Sequence, residues 1–282
     1  MFKKRNSGSG KKILLCVLIG VLLAIGFGVY AFRAMGRAEY WESTIRKFEE
    51  SDRIHSPRPG VIVFTGSSSI RFWDTLAEDM RPLEVVNRGF GGSQIAHVNY
   101  YANRIVTAYR PRAVVLYAGG NDLVWGKSPS QVRDDFKRFV EIIQADLPET
   151  WIYFVSIKPT KLFGSKWPTM KETNQLIEEF AGTQDRVEYI DVSAALLDAQ
   201  GKPRSDYLSW DGLHPNRKCY DLMTSIIKPI LLKRFPVEGR GMGYSKLLRR
   251  FHEHPTIPAS PGFIPAGVVL AAGRPGWRPF TR

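Results

Sequence analysis

The sequence predicts an α/β fold in which one parallel sheet lies between two layers of helices. Short strand-like runs alternate with longer helical patterns from residue 61 onward. These runs are apolar throughout, which is typical of strands that are buried on both faces. A strand–helix–strand order with such strands favours parallel pairing, with helices on both sides of the sheet. We therefore expect three layers (α/β/α) around a central, mainly five-stranded parallel sheet.

The elements follow one another in a regular order. An amphipathic helix is predicted first, over residues 39–52. Strands are predicted at 61–65, 84–87, 113–118, 151–157 and 187–191. Helical patterns lie between and after them, near 94–109, 129–146, 168–182 and 216–234. One of these helices opens with Ser128-Pro129, a capping residue followed by proline at the first helical position.

The N-terminal segment is predicted to be a transmembrane helix that precedes this domain. Residues 13–32 carry no charge, and as a helix they would span about 30 Å, the thickness of a bilayer's hydrocarbon core. Most of the basic residues that flank this apolar run lie before it, within residues 1–12. The positive-inside rule therefore places the N-terminus in the cytoplasm and the domain outside. A cleavable signal peptide ending near Val29-Tyr30-Ala31 is the alternative, and the domain would then be secreted. The length of the apolar run favours the uncleaved anchor.

The remaining chain divides into three parts. Residues 33–58 are expected to form a juxtamembrane helix and linker, and residues 59–236 the globular domain. Residues 237–282 are rich in Pro, Gly and Arg without a sustained period, a composition typical of disorder. A basic arm that binds anionic lipid or wall polymer is an alternative for this tail, and so is an unrelated terminus.

The charge distribution argues against a nucleic-acid-binding domain. The net charge is +13, but residues 1–37 contribute +7 and residues 237–282 contribute +5. The domain between them is therefore close to neutral and offers no basic face. We expect no nucleic-acid partner, and the sequence gives no prediction of the oligomeric state.

The cysteines and histidines indicate neither a disulfide framework nor a metal site. Cys16 lies in the apolar N-terminal run, whereas Cys219 lies far away in the domain. The histidines and cysteines have no metal-ligand spacing; His252 and His254 are close together, but they belong to the tail. We expect no metal and no cofactor.

Four polar motifs follow predicted strands, and they carry the candidate site. The residues are Ser68 after the first strand, the glycine-rich loop 87–93 after the second, Asn121 after the third, and Asp211 and His214 after the fifth. In an open parallel sheet, the loops at the carboxyl ends of the strands converge on the ligand. We therefore expect these residues to lie close together. A hydroxyl, an imidazole and a carboxylate are the minimum set for acyl transfer.

Each motif taken alone has an ordinary structural explanation. Ser68 could cap a helix, and the glycines of 89–92 could serve a turn. Asn121 could form an Asx turn, and His214, which precedes a proline, could be a surface loop residue. The presence of all four motifs at one edge of the sheet favours the catalytic interpretation.

The motifs resemble those of the SGNH (GDSL-type) hydrolase superfamily, over roughly residues 60–234. Its first block is normally Gly-Asp-Ser, and here it is Gly66-Ser67-Ser68, so Ser67 replaces the acid. Gly119-Gly120-Asn121-Asp122 matches the Gly-x-Asn-Asp block, and Asp211-Gly212-Leu213-His214 matches Asp-x-x-His. Cys219-Tyr220 stands where a glycine–tyrosine pair is common. The chain is thus similar to bacterial GDSL-like esterases and lipases, including members that resemble platelet-activating-factor acetylhydrolase.

The resemblance implies a flavodoxin-like sheet and a role for each residue. Ser68 would be the nucleophile, His214 the general base and Asp211 the residue that orients the base. The backbone N–H groups of Ser68 and Gly92 and the side chain of Asn121 would form the oxyanion hole. We therefore expect a membrane-anchored serine esterase that cleaves small-molecule, lipid or carbohydrate esters outside the cytoplasm.

Two features of the sequence bear on the substrate. The sequence contains no long apolar insertion that could form a lid or an acyl tunnel, and this favours substrates with short acyl groups. The loop 158–168 is expected to help form the pocket, where Phe163 and Trp167 could contact an acyl chain or a sugar, although packing is the more common role for such residues.

The change at Ser67 leaves open an alternative function, that of an inactive SGNH-like domain that binds carbohydrate or lipid. A nucleotide- or flavin-binding domain is weakly indicated, because the loop 89–92 lacks the Gly-x-Gly-x-x-Gly spacing.

Overall fold

The computed structural model describes residues 8–237 and contains a five-stranded parallel sheet. The strands are β1 (Ile62–Gly66), β2 (Val85–Gly89), β3 (Ala113–Tyr117), β4 (Trp151–Val155) and β5 (Val187–Ile190). Their order in the sheet is β2-β1-β3-β4-β5, and every neighbouring pair is parallel. The five predicted strands and the parallel sheet are therefore confirmed.

The helices of the described residues connect these strands in the predicted order. They are α1 (Gly8–Met35), α2 (Glu42–Ile54), α3 (Ser68–Arg71), α4 (Leu76–Asp79), α5 (Ile95–Ile105), α6 (Gly120–Val124), α7 (Pro129–Asp146), α8 (Trp167–Ala181) and α9 (Arg217–Arg234). The four longer helices predicted after the first strand correspond to α5, α7, α8 and α9. As predicted, Ser128 caps α7, because its side chain accepts a hydrogen bond from the N–H of Gln131 at 3.2 Å.

The sheet separates two apolar cores, and this gives the three layers. In β1, Val63 packs into a core that is shared with α2, α5, α7 and α8. Its neighbours Ile62 and Phe64 point to the opposite face, into a core shared with α3, α4 and α9. All five residues of β1 are buried, which explains why its sequence is apolar without alternation. The predicted three-layer α/β/α architecture is confirmed.

The order of the strands fixes where a site can form. The chain runs from β1 to β2 on one side and then returns to place β3 on the other side of β1. At such a switch point, the loops after the two central strands diverge and leave a crevice at their carboxyl ends. The loops after β1 and β3 are those that carry Ser68 and Asn121.

The predicted transmembrane anchor is not confirmed. Residues 13–32 do lie within the helix α1, and apolar side chains such as Leu22 and Phe27 are exposed on it. In the part of the chain that the structure describes, however, no helix has both the length and the apolar character that crossing a membrane requires. The predicted disordered tail lies outside the described residues from residue 238 onward.

The segment between α1 and the first strand packs against the domain. Ile45 of α2 is fully buried in the core. Arg104 of α5 forms ion pairs with Glu42 and Glu49 of α2, each at 2.7 Å. The amphipathic helix predicted over residues 39–52 therefore forms as α2, and its contacts tie it to the layer that contains α5.

Candidate active site

Ser68 lies at a sharp turn where β1 ends and α3 begins. Gly66 closes the strand with φ +122°, and a Cβ on this residue would overlap the carbonyl oxygen of Tyr117 on β3. Only glycine fits such a close approach of two backbones. The N–H of Ser67 donates to the same Tyr117 oxygen at 2.9 Å. Ser68 is then the first residue of α3, at the carboxyl end of the central strand.

Asp211 and His214 form a compact turn just before α9. One carboxylate oxygen of Asp211 accepts the backbone N–H groups of Leu213 and His214, both at 2.9 Å. The other oxygen lies 2.5 Å from Nδ1 of the His214 ring. A single carboxylate thus fixes both the backbone of the turn and the orientation of the imidazole.

The environment keeps Asp211 ionised. Burial by itself would raise its pKa, but the hydrogen bonds from the ring and the backbone of His214 and from the backbone of Leu213 outweigh this effect and lower the pKa to about 2. Because the carboxylate is charged at neutral pH, Nδ1 of His214 carries the hydrogen and donates it to Asp211. The second ring nitrogen is then left as an acceptor.

That second nitrogen faces the serine. Nε2 of His214 lies 2.9 Å from Oγ of Ser68. The side chains of Asp211 and His214 are 27% and 24% exposed, so the chain of three groups opens to solvent. Such an arrangement can transfer the hydroxyl proton to the imidazole while the carboxylate stabilises the resulting charge.

Gly92 and Asn121 lie on the two loops that flank this serine. A Cβ on Gly91 would lie 3.8 Å from Cβ of Ser68, which places the loop after β2 directly beside this serine. Gly92 itself has φ +76°. The side-chain nitrogen of Asn121 donates to the carbonyl of Ser93 at 2.9 Å, and this contact orients the amide. Within residues 8–237, no protein group accepts a hydrogen bond from the N–H of Ser68 or of Gly92.

Hydrogen bonds between the loops hold these groups in place. The carbonyl of Gly66 accepts the N–H of Phe90 at 2.9 Å and the hydroxyl of Ser93 at 3.0 Å. The loop after β2 is thereby joined to the turn after β1. The buried carboxylate of Asp122 on α6 accepts the N–H of Ile95 at the start of α5. The three loops form one connected unit.

Three further residues contact the site, and the sequence predicted no individual role for any of them. The ring of Phe72 meets the ring of His214 edge-on at a centroid distance of 5.0 Å. A Cβ on Gly92 would lie 3.4 Å from the ring of Trp41, so this tryptophan covers the glycine. The ammonium of Lys158 donates to a carbonyl of the Asp211–His214 turn. Lys158 begins the loop 158–168, which was predicted to help form the pocket, but its contact with this turn was not predicted.

The loop 158–168 reaches the site through its backbone. The N–H of Leu162 donates to the carbonyl of Gly212 at 3.0 Å. Its two aromatic residues, by contrast, pack against the core on the side of α8. Trp167 also borders a cavity of about 500 Å³ between α8 and the end of β5, which contains none of the predicted site residues.

Comparison with known families accounts for this arrangement. The model of the GDSL-like lipase/acylhydrolase family matches residues 59–222, which is more than half of the chain. The chain belongs to this family. The predicted resemblance is confirmed, and so is the prediction of an ester-hydrolysing enzyme. No curated protein sequence matches the chain.

Solved structures share the fold of this GDSL-like hydrolase. A Streptococcus pneumonia protein, provisionally described as a platelet activating factor, is 21% identical with a TM-score of 0.64, over 74% of this chain and 99% of the other. A GDSL-like lipase from Bacteroides thetaiotaomicron is 17% identical with a TM-score of 0.58, over 68% and 98% of the two chains. A carbohydrate esterase family 3 protein from Talaromyces cellulolyticus is 20% identical with a TM-score of 0.50, over 62% and 97%.

The structure also shows what replaces the usual acid of this family's first block. Ser67 is buried, and its side chain makes no capping hydrogen bond to α3. Its backbone carbonyl accepts the N–H groups of Ile70 and Arg71, at 3.0 and 3.1 Å. The turn that presents Ser68 is therefore held by backbone atoms, which a serine at position 67 supplies as well as an aspartate would.

Proposed function

We propose that this GDSL-like hydrolase is a serine esterase in which Ser68 is the nucleophile, His214 the general base and Asp211 the residue that orients the base. The observation that carries the proposal is the 2.9 Å distance between Oγ of Ser68 and Nε2 of His214. It is supported by the ionised Asp211 on the other side of the imidazole, which leaves Nε2 free to accept the hydroxyl proton.

The reaction follows from these positions. Oγ of Ser68 attacks the ester carbonyl carbon while its proton passes to Nε2 of His214. The tetrahedral intermediate collapses to an acyl-serine when the imidazolium returns the proton to the leaving alcohol oxygen. Water then attacks the acyl-serine in the same way, with His214 as the base. Release of the carboxylic acid restores the hydroxyl of Ser68. Asp211 stays ionised and stabilises the imidazolium at each stage.

The developing oxyanion requires hydrogen-bond donors beside the nucleophile. We assign this role to the N–H groups of Ser68 and Gly92 and to the side-chain amide of Asn121. The two N–H groups have no acceptor within the described part of the chain, and the amide is pre-oriented by its bond to Ser93. Donors that are already aimed at the oxyanion do not have to reorganise during the reaction.

The open site favours esters with a short acyl group on a larger alcohol. Asp211 and His214 are each about one quarter exposed, so a bulky leaving group can stay in solvent while a small acyl group contacts Ser68. The structural likeness to a carbohydrate esterase makes acetylated sugars a sensible class to test. We also propose that the domain acts outside the cytoplasm, because basic residues precede the apolar N-terminal run.

A series of p-nitrophenyl esters tests this substrate preference. We expect kcat/KM to be highest for acetate and butyrate and to fall about tenfold or more by octanoate, since an open site offers little apolar surface to a long chain. Acetylated sugars assayed in parallel should release acetate. A maximum at octanoate or beyond would contradict the preference for short acyl groups.

Substitution of Asn121 tests the oxyanion hole. We expect Asn121→Ala to lower kcat by about 10²–10³-fold with little change in KM, because the lost donor acts mainly in the transition state. Asn99→Ala is the matched control, since this amide also donates to a backbone carbonyl, at 2.9 Å, but in the contact between α5 and α7. If both variants retained the wild-type kcat, Asn121 would have no role in the hole.

A further inference from the structure

A lysine lies buried beneath the turn that carries Asp211 and His214. Lys158 follows β4 and is only 3% exposed. Its Nζ donates to the carbonyl of Leu213 at 2.6 Å. This carbonyl belongs to the peptide that joins Leu213 to His214, so the ammonium binds the backbone directly behind the imidazole.

Packing alone does not explain a lysine at this position. An ammonium that leaves water loses much of its solvation free energy unless an ion pair and hydrogen bonds compensate for the loss, whereas an apolar side chain of similar length avoids it. In the described part of the chain, Lys158 forms no ion pair, and its ammonium donates to a neutral carbonyl. Burial accordingly lowers the pKa of Lys158 to about 8.

The groups around Lys158 come from three elements. The carboxylate of Asp211, in the turn, favours the charged form of the lysine. On α9, Cys219 also lies nearby, and burial raises the pKa of its thiol to about 11, so the thiol is neutral. On β3, the hydroxyl of Tyr117 accepts the backbone N–H of Lys158 at 3.4 Å and is itself neutral. Asp211 is thus the one full negative charge among these neighbours of the lysine.

The turn is held from both sides. Asp211 binds its N–H groups, those of Leu213 and His214, at 2.9 Å. Lys158 binds the carbonyl on the opposite side of the same turn. Without this second contact, the peptide of Leu213 can rotate, and the imidazole that it carries can move away from Ser68. A misplacement of about 1 Å can lower a rate about a hundredfold.

We propose that Lys158 is a positioning residue for the esterase reaction: its ammonium holds the Asp211–His214 turn in register with Ser68, and its charge balances that of Asp211. The inference rests on the proposed function, because it assigns Lys158 a part in that triad. Without the lysine charge, the carboxylate of Asp211 would attract a proton to the adjacent imidazole more strongly.

Lys158→Met tests both parts of the proposal, since methionine keeps the length of the side chain and removes the donor and the charge. We expect the plateau kcat for p-nitrophenyl acetate to fall about ten- to a hundredfold. The acid limb of kcat/KM should move to higher pH by about half a unit to one unit. The thermal midpoint should not fall, because a buried charge has been replaced by an apolar group.

Lys166→Met is the matched control, because Lys166 lies on the same loop but is exposed, and it should leave kcat and the acid limb unchanged. Lys158→Gln keeps a donor without the charge and serves if the methionine variant does not fold; its acid limb should move in the same direction. An unmoved acid limb would overturn the proposal, including the case in which kcat and the thermal midpoint fall together. Failure of the proposed function is a separate result, since wild-type protein would then not be labelled at Ser68 by a fluorophosphonate.

Discussion

Ser68→Ala should lower kcat for ester hydrolysis by about 10⁴-fold or more without altering the fold. In the proposed mechanism this hydroxyl forms the acyl bond, so its removal leaves only the oxyanion donors and substrate binding. Alanine is a good helix former and fits the first position of α3. The measurement is kcat for p-nitrophenyl acetate, together with circular dichroism and the thermal midpoint of the variant.

The serine run supplies its own control. Ser69→Ala removes a neighbouring buried hydroxyl, while the backbone carbonyl of Ser69 still accepts the hydroxyl of Tyr220 at 2.9 Å. We expect this variant to keep its activity within a few fold. A folded Ser68→Ala protein that retains the wild-type rate would rule out Ser68 as the nucleophile, and loss of activity in Ser69→Ala alone would move the assignment to that residue.

Asp211→Asn should lower kcat by about 10⁴-fold, nearly as much as loss of the nucleophile. An asparagine oxygen can still accept the backbone N–H groups of Leu213 and His214, so the turn keeps its shape. Its NH₂ group, however, would face Nδ1 of the imidazole and donate to it. The ring hydrogen would then move to Nε2, which could no longer accept the proton of Ser68.

The expected signature is a large loss of kcat with little change in KM. Asp206→Asn is the control. Asp206 lies in the loop before the turn, and its exposed carboxylate pairs with Lys218 of α9 and does not contact the triad. It should leave kcat within a few fold of the wild-type value. If Asp211→Asn were equally active, another group would have to orient His214.

Much of the site could be predicted because strand ends in a parallel sheet converge. The apolar run of β1 located Ser68 at such an end, and the same rule located Asn121 after β3. The order of the strands could not be predicted in this way, since the central place of β1 depends on how β2 and β3 pair with it. Identification of His214 as the partner of Ser68, 146 residues away, relied on the motif, because a helical or strand period carries no information on such a contact.

The remaining differences have physical causes as well. Trp41 covers Gly92 because the segment before β1 folds back onto the domain, and its own amphipathic pattern does not specify that partner. Lys158 binds a backbone carbonyl of Leu213, and every residue type has such a carbonyl, so the sequence does not specify this contact. The apolar composition of residues 13–32 predicted a membrane span that the described part of the chain does not confirm.

Covalent labelling distinguishes a catalytic Ser68 from the serines on either side of it. Wild-type protein treated with a fluorophosphonate should gain one adduct, and peptide mass spectrometry should locate it on Ser68. Labelling should be lost in Ser68→Ala and strongly slowed in Asp211→Asn, because the reagent requires the same activated hydroxyl as the ester. Folded wild-type protein that stays unlabelled, or that carries the adduct on Ser67 or Ser69, would contradict the assignment of Ser68 as the catalytic nucleophile.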